Sequence, residues 1–267
     1  VKTALIPPAA HLDEFGRGDF HLLLGHVDSS EYRAHYTGQG AQGAFMVLDN
    51  GAHENVRGMN SRALLLRAAE LGASEVVAPD VLFRSQLTVS RTTKALERWA
   101  GVDRELFESL GLSVMLVPQG EDAWAWRTCL QSILWTYERL ADKHPGLFKE
   151  PTIGISKDYI LWPGGLSKLL EQAVIPLGHP VHLLGWANDL WTLGEIAHRW
   201  PQIRSTDSAR PFTYALRGIA LDPTDEVPTY ERRQGDYFGL ELTPDQIELA
   251  WHNVGVFREL ANDHRDD

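Results

Sequence analysis

A single cysteine, Cys129, stands in a chain of 267 residues. That scarcity excludes an internal disulfide and every structural zinc site built from several thiolates, and it makes a reducing compartment the expected setting. Long apolar runs are also missing, since none approaches the roughly 20 residues that a membrane helix needs. No basic segment followed by an apolar stretch opens the chain, so neither a membrane span nor a signal peptide is expected, and the cytoplasm is the expected location. Positive charge is scarce as well. With Lys+Arg at 25 against Asp+Glu at 36, the formal net charge is −11, which argues against the broadly basic surface that gives strong, salt-dependent nucleic-acid binding. Local clusters remain, with Arg204, Arg210 and Arg217 in one stretch and Arg57, Arg62 and Arg67 in another. Taken singly, such arginines are ordinary solvated helix charges.

What the chain does have is a hydrophobic fraction of 43%, enough for a full core, and a regular series of short apolar runs. Eight can be read: Thr3 to Ile6, His21 to Gly25, Phe45 to Leu48, Glu75 to Ala78, Ser113 to Val117, Thr152 to Ile155, Val181 to Leu184 and Ile203 to Thr206. They are too short for buried helices and lack strict alternation, as strands buried on both faces do. Segments with helical spacing lie between most of them. Asn60 or Ser61 caps one that stops at Gly72; others run from about Ser90 to Ala100, Ala123 to Ala141, Leu166 to Val174, Leu190 to Trp200 and Ala209 to Arg217. The Pro- and Gly-rich connection from Pro7 to Phe20 reads as a loop, and Asp222 to Gly239 as a polar stretch. Thr243-Pro244-Asp245-Gln246 has the form of a capping box opening a last helix, to about residue 262, that packs on the rest. Alternating strands and helices imply a parallel sheet, and eight strands imply an α/β chain folded as one (β/α)8 barrel of TIM type spanning 1–267.

In such a barrel the loops at the carboxyl ends of the strands carry the chemistry, and several runs end in polar residues there. Asp49, Asp80, Gln119 and Asp207 are the candidates. Asp49 and Asp207 form a carboxylate pair able to divide nucleophile from general acid or base, as an oxocarbenium-like transition state at a sugar C1′ requires. Asp80 and Gln119 suit the hydrogen-bonding edge of a purine-like base, and Gly51, Gly120 and Gly185 let backbone approach a flat ligand. Plainer readings stand beside these: Asn50-Gly51 and Gln119-Gly120 as turns, Asp80 and Asp207 as helix caps, and His182 as a core histidine. Lys157 at the end of the sixth strand would suit a Schiff-base barrel enzyme, but the phosphate-binding glycines after the seventh and eighth strands are missing.

The ordered series Val47-Leu48-Asp49-Asn50-Gly51, Ala78-Pro79-Asp80, Val117-Pro118-Gln119-Gly120, Leu183-Leu184-Gly185 and Thr206-Asp207-Ser208-Ala209 resembles the tRNA-guanine transglycosylase superfamily. His21 to Gly25, followed by Tyr32 and Tyr36, is similar to that family's second strand and its loop. The resemblance covers the whole barrel through short motifs whose shared order carries the weight. It implies Asp207 as the nucleophile that links to ribose C1′ and Asp49 as the acid/base. Asp80, Gln119, Gly120 and Gly185 would read the base, and His53, Trp186 and Arg210 are accessory candidates. The implied reaction is ping-pong exchange of guanine for a free 7-deazaguanine, with no cofactor and no metal. Members acting on tRNA carry a C-terminal zinc site of three cysteines and a histidine, which one cysteine cannot build. Ala52 stands where the family has a second glycine, and His53-Glu54 follow. A zinc-less, acidic chain resembles the phage and bacterial branch that modifies DNA, so DNA rather than tRNA is the expected polymer. The host cytoplasm is the setting if a phage encodes the chain, and a partner protein or a homo-oligomer is a way to supply a basic surface. The rival readings are tRNA exchange, hydrolysis of a nucleoside or N-glycoside, and a non-catalytic barrel that binds a nucleobase.

Overall fold

The computed structural model describes residues 1–18, 20–52, 58–161, 165–186, 190–222 and 237–261. Eight strands form one sheet: β1 (Lys2–Leu5), β2 (Phe20–Leu24), β3 (Phe45–Asp49), β4 (Glu75–Val77), β5 (Ser113–Leu116), β6 (Thr152–Ser156), β7 (Val181–Leu184) and β8 (Ile203–Ser208). Hydrogen-bonded neighbours run β1-β8-β7-β6-β5-β4-β3-β2, every pair parallel. With β1 packed beside β2, the sheet closes almost completely into a TIM-type (β/α)8 barrel. β2 and β4 are buried at every position. Strands with side chains on one face inside the barrel and on the other under helices have no wet face, hence the continuous apolar runs.

The helices are α1 (Leu12–Phe15), α2 (Ser30–Ala41), α3 (Ser61–Leu71), α4 (Ser85–Ala100), α5 (Arg104–Leu110), α6 (Ala123–Lys143), α7 (Gly165–Leu169), α8 (Leu190–Arg199), α9 (Arg210–Ala215) and α10 (Pro244–Leu260). Asn60 caps α3 by accepting from the Ala63 N–H at 2.9 Å, and Gly72 ends it in the left-handed region at φ 71°, where a side chain would be strained. Thr243 and Gln246 form the expected reciprocal capping box, and α10 packs on α8 and α9. α6 buries Trp126, Cys129, Leu130, Ile133, Tyr137 and Leu140, a stripe at helical spacing. At about 1.5–3 kcal/mol for each large apolar side chain fully buried, packing of that face outweighs local propensity.

Three connections depart from the expectation. Pro7 to Phe20 holds a 3-10 turn (Ala9–His11) and α1, because Leu12 and Phe15 are buried and Phe15 meets the rings of Phe212 at 5.0 Å and Trp251 at 4.5 Å. The helices α2 and α5 were not visible as periodic segments. α2 buries only Tyr32 and Tyr36 and contains Gly38 and Gly40, so it has no apolar stripe, while α5 buries Phe107 alone. Beyond α7 the chain widens into a π-helical turn at Leu170–Val174.

One irregularity in the sheet shapes the interior. Between β7 and β8 the register passes from Val181↔Ile203 to His182↔Ser205, which leaves Arg204 as the extra residue of a β-bulge. Bulges re-aim side chains, and Arg204 reaches Glu75 of β4 at 2.7 Å and Thr152 of β6 at 2.9 Å. Its guanidinium also lies 5.2 Å from the Phe45 ring and 5.9 Å from the Phe20 ring. These residues stand near the amino ends of their strands, so together they floor the barrel beneath the site.

Candidate active site

Three adjacent strands, β3, β4 and β5, are followed at the same rim by Asn50, Asp80 and Gln119, and their side chains form one bonded cluster. The Asn50 amide Nδ2 donates to Asp80 Oδ1 at 2.7 Å and to the Ala78 carbonyl at 2.9 Å. Gln119 Nε2 donates to Asp80 Oδ2 at 2.6 Å. Gln119 Oε1 in turn accepts from the Tyr159 hydroxyl at 2.5 Å and from the Phe83 N–H at 3.1 Å. That pairing sets the amide orientation, because Oε1 can only accept and Nε2 can only donate. Asp80 is 4% exposed, and burial pushes its carboxyl up to about 6, against the lowering effect of the two amides and of the Arg91 charge. Burial also raises the Tyr159 hydroxyl well above its usual range. Cys129, the lone cysteine, accepts from the Gln119 N–H at 3.5 Å, and its thiol is raised to about 11, burial again being the main cause.

Asp49 closes β3 beside this cluster, with Oδ2 accepting from the Gly51 N–H at 3.0 Å. Gly51 takes φ 73°, the left-handed conformation that an Asp-Asn-Gly turn at a strand end favours. Gly120 has a different cause. A Cβ there would sit 2.4 Å from the Trp126 backbone nitrogen, so the start of α6 rests directly on it.

Asp207 lies within β8, opposite Ala4 of β1, and is 3% exposed. Its Oδ1 accepts from the Gly185 N–H at 2.9 Å and faces His182 Nε2 at 3.0 Å. Among the described residues both side-chain bonds fall on Oδ1. His182 is fully buried, and its Nδ1 is 2.8 Å from Ser205 Oγ. Gly185, expected to read a base alongside Asp80 and Gln119, is therefore placed on Asp207; its φ of 64° turns its N–H toward that carboxylate. Asp49 and Asp207 share the rim with β1 and β2 between their strands.

Of the accessory candidates, Trp186 is 1% exposed, and its N–H bonds the Asp207 carbonyl at 2.9 Å. Its ring is packed rather than presented to solvent. Arg210 is buried, stacks over Tyr214 at 4.6 Å and has its pKa lowered by burial. His53 and Glu54 lie outside the described residues. Phe83 went unread in the sequence. It is the one described non-glycine residue with positive φ, at 57°, its N–H is held by Gln119, and its ring is 44% exposed, 6.3 Å from that of Tyr159. Backbone strain of this kind collects at ligand sites. No group of three or more His, Cys, Asp or Glu side chains placed to hold a metal occurs among the described residues. No helix among them is long and apolar enough to cross a membrane. Compared with protein-family models and with curated proteins, the chain matches none.

Proposed function

We propose that the chain is a cytoplasmic base-exchange transglycosylase that replaces guanine in a nucleic acid, DNA rather than tRNA, with a 7-deazaguanine. The observation that carries this reading is the asymmetry of Asp207: one oxygen is held by Gly185 and faces His182, while Oδ2 has no hydrogen bond among the described residues. A carboxylate nucleophile needs that division, one oxygen to fix the plane and one to attack. Across the rim, Asp80 offers lone pairs on two immobilised oxygens, an acceptor matched to adjacent N–H donors such as those on guanine's pyrimidine ring. Phe83 supplies an exposed ring at this cluster.

In this reading Asp207 Oδ2 bonds to C1′ as the bond from C1′ to guanine N9 breaks. The departing electron pair stays on N9, and the Asp49 carboxyl gives it a proton. The incoming 7-deazaguanine returns a proton from its ring N–H to Asp49 as its nitrogen bonds to C1′ and the ester to Asp207 breaks. The charge then balances without a redox partner. The target base has to leave its stack to reach side chains this deeply set.

The test is incorporation of labelled guanine or 7-cyano-7-deazaguanine into DNA and tRNA in parallel, with Asp207→Ala as control. Label entering DNA alone and lost in the variant is the expected result. Label in tRNA alone would overturn the choice of polymer. Release of free guanine with no incorporation would make the protein a hydrolase, and labelling of neither polymer by the folded protein would overturn the exchange reaction.

A further inference from the structure

Beneath Asp207 a chain of polar contacts runs down the barrel interior: Asp207 Oδ1 to His182 Nε2 at 3.0 Å, His182 Nδ1 to Ser205 Oγ at 2.8 Å, Ser205 Oγ to Arg204 Nε at 3.3 Å, and Arg204 Nη1 to Glu75 Oε2 at 2.7 Å. Asp207, His182, Ser205 and Glu75 are all buried. The β-bulge at Arg204 puts a guanidinium next to Ser205 in the first place.

The direction of this chain follows from donor chemistry alone. A guanidinium has donors and no acceptor, so Ser205 Oγ accepts from Arg204 and its own hydrogen is left to donate. The neighbour positioned to take it is His182 Nδ1, and because an ionised Asp207 Oδ1 can only accept, Nε2 must be the donor and a neutral ring presents Nδ1 as the acceptor. The imidazole proton therefore sits on Nε2, aimed at Asp207 Oδ1. Glu75 anchors the far end and offsets the charge of Arg204. We infer that His182 is a positioning residue, locked by Ser205 and Arg204 in the tautomer that donates through Nε2, and that it fixes the Asp207 carboxylate with Oδ2 turned to the substrate. The same contact gives the bulge a role: it places a donor on Ser205 Oγ that takes up one of its lone pairs. Gly185 supplies the second N–H to the same oxygen, so His182 and Gly185 together select which oxygen is held and which attacks.

The inference rests on Asp207 being the reactive carboxylate, and two measurements separate its failure from failure of that reading. The first needs no activity. Nitrogen-15 NMR of the histidine-labelled protein at neutral pH should show one imidazole with a protonated Nε2 and an unprotonated, hydrogen-bonded Nδ1, absent in His182→Gln and altered at Nδ1 in Ser205→Ala. A proton on Nδ1 of His182 overturns the relay, whatever the protein catalyses. The second is the single-turnover rate of covalent adduct formation at Asp207. Removing one hydrogen bond to a charged group in His182→Leu should slow it about tenfold to a hundredfold, and His182→Gln, which keeps an N–H donor, should recover most of that loss. Binding of the free base should stay unchanged, because Asp80 and Gln119 are untouched. An undiminished rate in a folded His182→Leu overturns the proposal. If that variant does not fold, Ser205→Ala, which deletes one hydroxyl, should still slow adduct formation, and an unaltered rate there has the same consequence. Absence of any adduct in the native protein would remove the transglycosylase reading and leave the tautomer to be decided by NMR.

Discussion

Asp80 is a buried carboxyl held by two neutral amides, and this gives it a measurable signature. Its pKa is raised from 3.8 to about 6, mainly by desolvation. The folded state thus binds this proton more tightly than the unfolded chain does. The stabilisation is fully present below about pH 3.8 and is lost as pH rises through about 6, on the order of 3 kcal/mol in all. Urea unfolding of the native protein and of Asp80→Asn across that window should show it. The native protein's stability relative to the variant should fall by about that amount as pH rises from about 4 to about 7.5. A constant difference would mean that Asp80 titrates as an ordinary carboxylate. The variant sets an amide nitrogen against one of two donors, Asn50 Nδ2 or Gln119 Nε2, so its absolute stability is a poor guide and the slope is the readout. On the proposed reading, guanine binding should strengthen over the same interval, because an ionised Asp80 is the better acceptor for two N–H groups.

At the scale of the element, β8 does more than complete the barrel. Its bulge directs Arg204 to Glu75, whose side chain is 0% exposed against 27% for Arg204. Glu75 Oε1 and Arg204 Nη2 are buried without hydrogen-bond partners among the described residues. Such a pair is costly to desolvate and more costly to break. Arg204→Met should lose about 3–5 kcal/mol by stranding the Glu75 charge, whereas Arg204→Met with Glu75→Leu should recover most of it. Equal stability of the single and double variants in chemical denaturation would show that the two charges are not coupled. This element also marks the limit of what the sequence discloses. All eight strands were legible because burial on both faces leaves uninterrupted apolar runs, and Asn60, Gly72 and Thr243 announced helix ends through local bonds that span a few residues. The bulge left no trace in Ile203–Ser208, since one added residue changes the register without changing composition. Asn50 was readable as a turn residue, and its Oδ1 does accept from the Ala52 N–H at 2.8 Å. Its second bond, to Asp80, spans 30 residues. Likewise Tyr159 meets Gln119 across 40 and His182 meets Asp207 across 25. Contacts of that kind are made by barrel closure, which places strand ends side by side irrespective of their spacing along the chain.

Across the whole molecule the formal charge of −11 has to be reconciled with the polyanionic substrate of the proposed reaction. Affinity for duplex DNA usually comes from neutralised phosphates, and each one released steepens the dependence of log K on log salt by about 0.9. If the proposed reaction holds, an acidic barrel that takes one extruded base at its rim draws instead on the buried Asp80–Gln119 cluster and on the ring of Phe83. Neither of these depends on displacing counterions. Binding of an oligonucleotide to the isolated chain should therefore show a shallow slope, with a magnitude below about 3, corresponding to no more than about three phosphate contacts. Fluorescence anisotropy between about 50 and 200 mM salt measures it. Asp80→Ala should weaken binding at every salt concentration while leaving the slope in place, because in the proposed reaction that side chain reads the base and not the backbone. A steep slope from the chain alone would mean that a basic track outweighs the net charge, and the pocket would cease to be the main source of affinity. A slope that steepens only when a second protein is added would instead assign the phosphate contacts to that partner, and base selection would remain with this barrel.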